Sequence, residues 1–575
     1  MKCRWMPAPP QPLLAEKLSA QLKLSPLLTQ CLLNRGLSEP AAIENFLRPR
    51  LKHLADPFLL PDMDKAVARL MRAREFGESL VIFGDYDVDG VTSTTILRQV
   101  LHALGIQVNA YLPHRMDEGY GLSQDGVENC LKKYPTQLLL AVDCGSTAVQ
   151  SIAWLKEQGV EVIVLDHHQI SNPAPDAVAL VNPQRTQDSG LKTQDFKELC
   201  SAGLAFKLAH ALVKRGREMK LPVAEEFDLR PLLDLVALGT IADLVPLTGE
   251  NRILVSAGLE RLNVTTRPGL VALKQVAQCP AQLDSTTVGY QLAPRLNASG
   301  RLETAEESLH LLLAENLDEA MPLAQNLDAC NRERQKIERS IAEEASGAVR
   351  ARFNPETDFV IVEGRLLWHL GVVGIVASRV LQEFYRPTII IGGEGDNWRG
   401  SGRSIAGFDL AAALRECDDL LVRHGGHAMA AGLTIHPDKL DALRARLNDL
   451  VRRSLKKEDF QPPLRLDAEV KLADISLESL AELDQLKPTG QGNPVVQFFT
   501  CGLAHQRPLM RMGADKQHVK MWVTDGQTSY EAVWWNAGKG SLPVGKFDLA
   551  FAPQLNEFNG KRSVQLKVLD WRAAE

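Results

Sequence analysis

The chain has 575 residues, 45% of them hydrophobic and 24% charged, with a formal net charge of −6. That length holds about three or four domains with cores of their own, and the composition excludes disordered and fibrous classes. No segment approaches the roughly 20 apolar residues of a membrane span, the start "MKCRWMPAPPQPLLAEKL" lacks a continuous apolar run, and nine scattered cysteines form no C-x-x-C pair. The expectation is a cytoplasmic protein with reduced thiols and no membrane partner.

From residue 79 short apolar runs alternate with helical periods: "SLVIF", "VTSTTILRQVLHALG", "QVNAYL", "TQLLLAV", "AVQSIAWLKEQG", "VEVIVL" and "AVALV". Continuously apolar strands alternating with helices predict an open parallel sheet covered on both faces, whose ligands bind beyond the carboxyl ends of the strands. The charged residues fall there: Asp85, Asp87 and Asp89 after "LVIF", Asp143 after "LLLAV", and Asp166, His167 and His168 after "VEVIVL". Carboxylates two apart on an extended backbone repel one another unless a cation lies between them. The D-x-D-x-D-G opening from Asp85 to Gly90 matches a calcium loop, but the twelfth position is Ile96 where a bidentate Glu is needed, and a strand precedes it. Oxygen-rich sets select Mg²⁺ or Mn²⁺, and a mixed imidazole tilts the choice toward Mn²⁺ or another transition ion. Asp87, Asp89, Asp143, His167 and Asp243 could hold two ions, an arrangement suited to phosphoester hydrolysis.

Helices are predicted at "SAGLAFKLAHALVKRG" and "LLDLVALGTIADLVPL", the latter ending near Asp243. Beyond Pro322 a charged run reads as a connecting helix of about 28 residues, roughly 40 Å long. A second α/β unit begins at "DFVIVEG" and contains "RGSGRS", a Gly-Ser-Gly-Arg turn in which Ser401, Gly402, Arg403 and Ser404 offer donors to a phosphate. A third unit ends the chain with short strands. Residues 501–575 carry 10 Lys and Arg against 7 Asp and Glu, and 8 of the 32 aromatics where about four would be an even share, so this end is basic and aromatic for the chain. The adjacent Trp534 and Trp535 face opposite ways on a strand, which exposes one ring for stacking on a base.

"DYDVDG", "AVDCG", "LDHHQ" and "ALGTIADLVPL", in this order, resemble the four motifs of the DHH phosphoesterase superfamily. "LAPRLNASGRL", "RGSGRS", "GGHAMAAGL" and "KPTGQGNP" extend the resemblance to the superfamily's bacterial single-strand-specific exonucleases, over nearly all of the chain after about residue 50. Related pyrophosphatases carry a ligating His where this chain has Phe83, and Thr489 stands where relatives often have Phe.

The resemblance implies an α/β architecture with a parallel-sheet DHH catalytic domain, a long connecting helix, a second α/β domain and a C-terminal OB-like β-barrel. The expected boundaries are an N-terminal helical segment at 1–52, the catalytic domain at 53–265, the linker with its helix at 266–352, the DHH-associated domain at 353–458 and the barrel at 459–575. It implies Asp87, Asp89, Asp143, His167 and Asp243 as ligands of two Mn²⁺ or Mg²⁺ ions, His168 on the scissile phosphate, and Asp85 and Asp166 as residues that orient the ligands. Arg295, Arg301, Ser401, Gly402, Arg403, Ser404 and His427 become substrate-binding residues, with Trp534 and Trp535 stacking on bases. The implied activity is 5′ to 3′ hydrolysis of single-stranded DNA to 5′-mononucleotides in recombination and repair, alongside a single-strand-binding protein and a helicase. Two rivals remain: a nanoRNase or cyclic-dinucleotide phosphodiesterase, usually a shorter chain without a terminal barrel, and a catalytically silent replication scaffold, which loses metal ligands.

Overall fold

The structure, a computed structural model, describes residues 2–115, 117–185, 196–393, 395–538 and 541–574. It divides into two compact units: residues 48–336 with 488–494, and residues 1–47 with 337–487 and 495–575.

In the first unit five strands pair in parallel, in the order Val108–Tyr111, Leu80–Gly84, Leu138–Val142, Glu161–Leu165, Ala179–Val181. Both faces are covered, so the central strands are apolar at every position. Leu80, Ile82, Leu138, Leu140 and Val142 face one core with the helices Val88–Ala103, Ser201–Glu218 and Leu233–Ala242. Val81, Phe83, Leu139 and Ala141 face a second core with Gln124–Lys133 and Val149–Glu157. The register aligns Gly84 with Val142, Val142 with Leu165, and Leu165 with Val181. The residues that follow, Asp85, Asp143, Asp166 and Asn182, therefore leave the sheet side by side.

The helix Leu233–Ala242 docks at Gly239, where an added Cβ would lie 2.4 Å from Thr92 Oγ1 and 2.6 Å from Ala202 Cβ. Gly239→Ala is expected to cost about 1–3 kcal/mol through overpacking, read as a lower midpoint of thermal unfolding. An unchanged midpoint would mean that the three helices can separate freely here.

The connecting helix runs Leu317–Arg352, 36 residues with Pro322 inside it, rather than starting beyond the proline. At 1.5 Å per residue it is about 54 Å long. Proline removes one backbone donor, and burial of Ala320, Ala324 and Leu327 on either side compensates for it.

In the other unit a five-stranded sheet runs Arg423–His427, Ala430–Ile435, Trp398–Arg403, Thr388–Gly393, Ile361–Leu366, antiparallel except for the last pair. The "RGSGRS" segment is thus a strand paired on both sides, not the expected turn. Its glycines serve packing: a Cβ on Gly400 would meet Ile391 at 2.8 Å and one on Gly402 would meet Leu410 at 2.5 Å.

The C-terminal strands close into a barrel because Phe498–Met512 pairs with both His518–Thr524 and Phe547–Phe558. The N-terminal helices Pro12–Leu22 and Pro26–Asn34 share its core, where Leu18, Leu28 and Leu32 pack with Val470, Phe498 and Leu566. Arg4–Pro7 adds a strand parallel to Pro463–Leu466, which the expected N-terminal helical segment did not contain.

Candidate functional site

Six carboxylates and two imidazoles meet beyond the aligned strand ends. Asp87 caps the helix Val88–Ala103, accepting from the amides of Asp89 at 2.9 Å and Gly90 at 3.1 Å. Asp89, on that helix, accepts from the first amides of the helix Ser201–Glu218, Ser201 at 2.7 Å and Ala202 at 2.8 Å. A helix N-terminus is positively polarised, which fixes this carboxylate's direction. Ser201 Oγ also donates to Asp143 at 2.9 Å. Asp143 sits at φ +64°, a conformation costing a non-glycine residue about 1–3 kcal/mol that clusters at functional sites. Asp243 ends the helix Leu233–Ala242.

His167 Nε2 lies 3.4 Å from Asp143, 3.7 Å from Asp243 and 3.9 Å from Asp89. Burial, with the charge of His168 added, lowers its pKa to about 4, so the ring is neutral at pH 7. Burial works against charging His168 as well, but the hydrogen bond and charge of Asp166 prevail and raise it to about 9. Asp166 Oδ1 takes His168 Nδ1 at 2.7 Å and the amides of His167 and His168, while Oδ2 takes the amide of Ser146. For Asp166 burial pushes upward and these donors outweigh it, so the carboxyl titrates below its usual range. The two neighbouring imidazoles are thus tuned apart, one neutral donor and one cation.

Burial first, and then neighbouring carboxylates, raise Asp85, Asp89, Asp143 and Asp243 above the usual carboxylate range. Asp85 Oδ1 and His167 Nε2 are buried without a hydrogen-bond partner. Three overlapping groups, Asp143 with His167 and His168, Asp89 with His167 and Asp243, and Asp85 with Asp87 and Asp143, each bring their ligand atoms within 4.8 Å of one another. Mutually repelling oxygens around a neutral, unpartnered imidazole nitrogen fit divalent Mn²⁺ or Mg²⁺.

Residues 79–240 match the N-terminal domain of the DHH family, 357–453 the DHHA1 domain and 466–570 the RecJ OB domain. The chain is 38% identical to the single-stranded-DNA-specific exonuclease RecJ of Bacillus subtilis strain 168, across 100% of this chain and 71% of that protein. With the RecJ of Salmonella typhimurium the identity is 35%, across 95% and 96% of the two chains. The chain belongs to the RecJ family. The crystal structure of RecJ in complex with Mn²⁺ from Thermus thermophilus matches with a TM-score of 0.84 and 30% identity, over 100% of this chain and 80% of that one.

Around this RecJ-family centre lie residues that the motifs did not single out. Tyr120, 55% exposed, places its hydroxyl 3.2 Å from His168 Nε2 and stands edge-on to Tyr86. Asn182 donates to the His168 carbonyl and to Ser146 Oγ, bracing the "DHH" loop. Asn297 accepts from the Val88 amide at 3.1 Å, and a Cβ on Gly300 would stand 2.8 Å from the Tyr86 carbonyl. The "NASG" helix thus seats directly on the first aspartate motif. Asn297 is visible in sequence only as part of "LNASG", and Tyr120 lies in a loop without periodicity.

The two arginines of that segment part company. Arg301, half-buried, lies close enough to Asp87 and Tyr86 to feel their charge, and desolvation followed by the nearby Arg115 and Arg334 lowers it to about 10. Arg295 is turned toward the connecting helix, where it donates to Asp328 at 2.9 Å and to the Gln291 carbonyl.

In the second unit Arg403 donates to Ser401 Oγ and the Gly402 carbonyl, both at 2.9 Å. A Cβ on Gly374, in the first turn of the helix Val373–Phe384, would lie 3.0 Å from both side chains. Ser404 is buried and donates to the Phe408 carbonyl. His427 is exposed at the end of its strand. On the barrel Trp535 is 47% exposed beside His518, while Trp534 packs partly against the core. Trp522, flanked by Arg507 and Lys520 at 5.3 Å from its ring, forms a further cationic aromatic platform.

Proposed function

We infer that this chain is a metal-dependent exonuclease that hydrolyses single-stranded DNA from its 5′ end to 5′-mononucleotides. The observation that carries the reading is the convergence of Asp89, Asp143 and Asp243 on the buried, unpartnered His167 Nε2, in a chain of the RecJ family. Asp87, Asp89, Asp143, His167 and Asp243 would hold Mn²⁺ or Mg²⁺. Two such ions, when bound, supply a strong nucleophile from water at neutral pH and neutralise charge on the reacting phosphate.

The protein's own part is orientation and charge. The amides of Ser201 and Ala202 aim Asp89, Ser201 Oγ aims Asp143, and Asp166 holds His168 as a cation that can donate to a phosphate oxygen. Arg301 adds a half-buried positive charge within electrostatic reach of Asp87. All five acid and imidazole ligands are retained and gathered, which supports hydrolysis over a silent scaffold, and the terminal barrel supports the exonuclease over a nanoRNase.

Purified protein should release mononucleotides from labelled single-stranded DNA with Mn²⁺ or Mg²⁺, leave blunt duplex largely intact, and stop with chelator. Absence of mononucleotides under all metal conditions would overturn the reading. The same reading places the enzyme in the cytoplasm with recombination and repair proteins, a single-strand-binding protein and a helicase among them. Among the described residues no helix is long and apolar enough to cross a membrane.

The barrel is read as a binding face for the strand. Because it shares its core with the N-terminal helices, point changes test this better than truncation. Trp535→Ala is expected to weaken binding to long single strands by about 1–3 kcal/mol, the worth of one stacked base. Arg507→Ala is expected to reduce the salt slope of binding by about one. Unchanged affinity and slope in the double variant would remove this face from the binding surface.

A further inference from the structure

Two helices that end at the catalytic carboxylates begin or finish, at their far ends, on a separate cavity of about 790 Å³. The helix Val88–Ala103 carries Asp89 in its first turn and Arg98 and His102 toward its end; the helix Leu233–Ala242 carries Asp234 in its first turn and is capped by Asp243. Nine residues separate Asp89 from Arg98 and Asp234 from Asp243, about 14 Å along each axis. The cavity lies wholly within the unit 48–336.

Its charge is unevenly satisfied. Asp234 is fully engaged, accepting from Thr265 Oγ1 at 2.8 Å, from Arg267 Nε at 3.3 Å and from the Leu235 amide at 2.7 Å. Arg98, half-buried, and Arg261, exposed, also line the cavity, and neither side chain forms a hydrogen bond or a close ion pair among the described residues; Asp228 is near enough to Arg261 to feel its charge. Arg267 is moreover the N-cap of the helix Pro268–Val276, which has no side-chain cap, so the positive end of that helix lies at the same wall. Glu315 is the one other carboxylate among the described residues of the lining, and it is exposed. Val264, 69% exposed, gives the polar wall an apolar neighbour.

We propose that this cavity is a second binding site, for a phosphate ester, with Arg98 and Arg261 as its principal ligands. Two guanidiniums whose donors have no hydrogen-bond partner among the described residues, beside threonine hydroxyls, suit tetrahedral oxygens, which Arg contacts in paired fashion. The apolar side chain and the volume leave room for a nucleoside attached to the phosphate. Two sources share this chemistry: a free mononucleotide, and the sugar–phosphate backbone of a bound strand. Because both helices terminate in the carboxylate centre, occupancy here bears on the position of Asp89 and Asp243.

The test is calorimetric titration of the full chain, in chelator, with inorganic phosphate, with dAMP and with a short single-stranded oligonucleotide. The proteins compared are the unmodified chain, Asp143→Asn, the double variant Arg98→Gln/Arg261→Gln, and Arg261→Glu at an exposed position that tolerates change. Asp143→Asn is expected to keep its affinity, whereas the arginine variants lose at least about tenfold, as loss of charge-assisted hydrogen bonds demands. Loss for dAMP and phosphate identifies a free-nucleotide site; loss for the oligonucleotide alone identifies a backbone site. Equal affinities for all three probes in folded arginine variants, or no binding of any probe to the unmodified chain, overturns the proposal.

Discussion

Asp143→Asn is expected to abolish hydrolysis, by about three orders of magnitude or more, while the protein stays folded. Asp143 stands in two of the three groups that could hold an ion, and metal centres contribute several kcal/mol to stabilising charge in the transition state. The fold should survive because this carboxylate follows a strand and no apolar core residue is removed. The direction of the stability change discriminates further. Burial and the charges of Asp89, Asp87, Asp85 and Asp243 all disfavour the ionised form of Asp143. Neutralising it relieves that repulsion, so the unfolding midpoint in chelator should stay equal or rise. With Mn²⁺ at 100 times its dissociation constant the unmodified protein should gain about 2.7 kcal/mol by mass action, a gain that the variant lacks. Asp89→Ala should lose activity equally, with some loss of stability because the amides of Ser201 and Ala202 lose their acceptor. Near-normal turnover with Mn²⁺ in either variant, or a Mn²⁺-induced shift that persists in Asp143→Asn, would sink the assignment.

Much of this centre is readable from the chain because most of its carboxylates and both imidazoles follow uninterrupted apolar strands, Asp243 at a helix end being the exception. A run such as Leu138–Val142, buried at every position, is recognisable by composition alone, and the next residue is necessarily at the sheet edge. Asp87, Asp89 and the "DHH" triplet are therefore placed by their strands before any contact is known. What depends on tertiary packing is less legible. Phe498–Met512 is interrupted by Gly502 and Pro508 and shifts register against His518–Thr524, so neither alternation nor composition marks it as a strand of 15 residues. The Trp398–Arg403 strand is rich in glycine for a reason visible only once Ile391 and Leu410 are seen to press on it; a local reading makes it a turn. Pro322 suggests a helix start locally, yet burial of Ala320 and Ala324 carries the helix back to Leu317. Arg295 and Arg301, six residues apart, both read as phosphate contacts, Arg301 the better for following "NASG", and only the fold puts the first on Asp328 and the second within reach of the charge of Asp87.

Blocking the 5′ end of a single strand is expected to stop degradation completely, while a 3′ block leaves the initial rate unchanged. The product's own end sets the constraint. Attack on the first internal phosphodiester with departure of the 3′ oxygen of the terminal nucleotide leaves a new end that again carries a 5′ phosphate. An anion site that holds the terminal phosphate can therefore be reused at every step. Arg403 is proposed for that role: its guanidinium is fixed by Ser401 Oγ and the Gly402 carbonyl, and Gly374 keeps the neighbouring helix start close to it without a side chain in between. The choice of the 5′ end comes from kinship with the RecJ family, whereas the phosphate chemistry comes from Ser401 and Arg403 themselves. Arg403→Ala should then lower kcat/KM by about tenfold to a hundredfold on 5′-phosphorylated strands, the worth of charge-assisted hydrogen bonds to a phosphate, and by much less on strands with a 5′ hydroxyl. Degradation that continues past a 5′ block but halts at a 3′ block refutes the polarity. An Arg403→Ala variant that loses equally on both kinds of 5′ end removes this residue from the terminal-phosphate site.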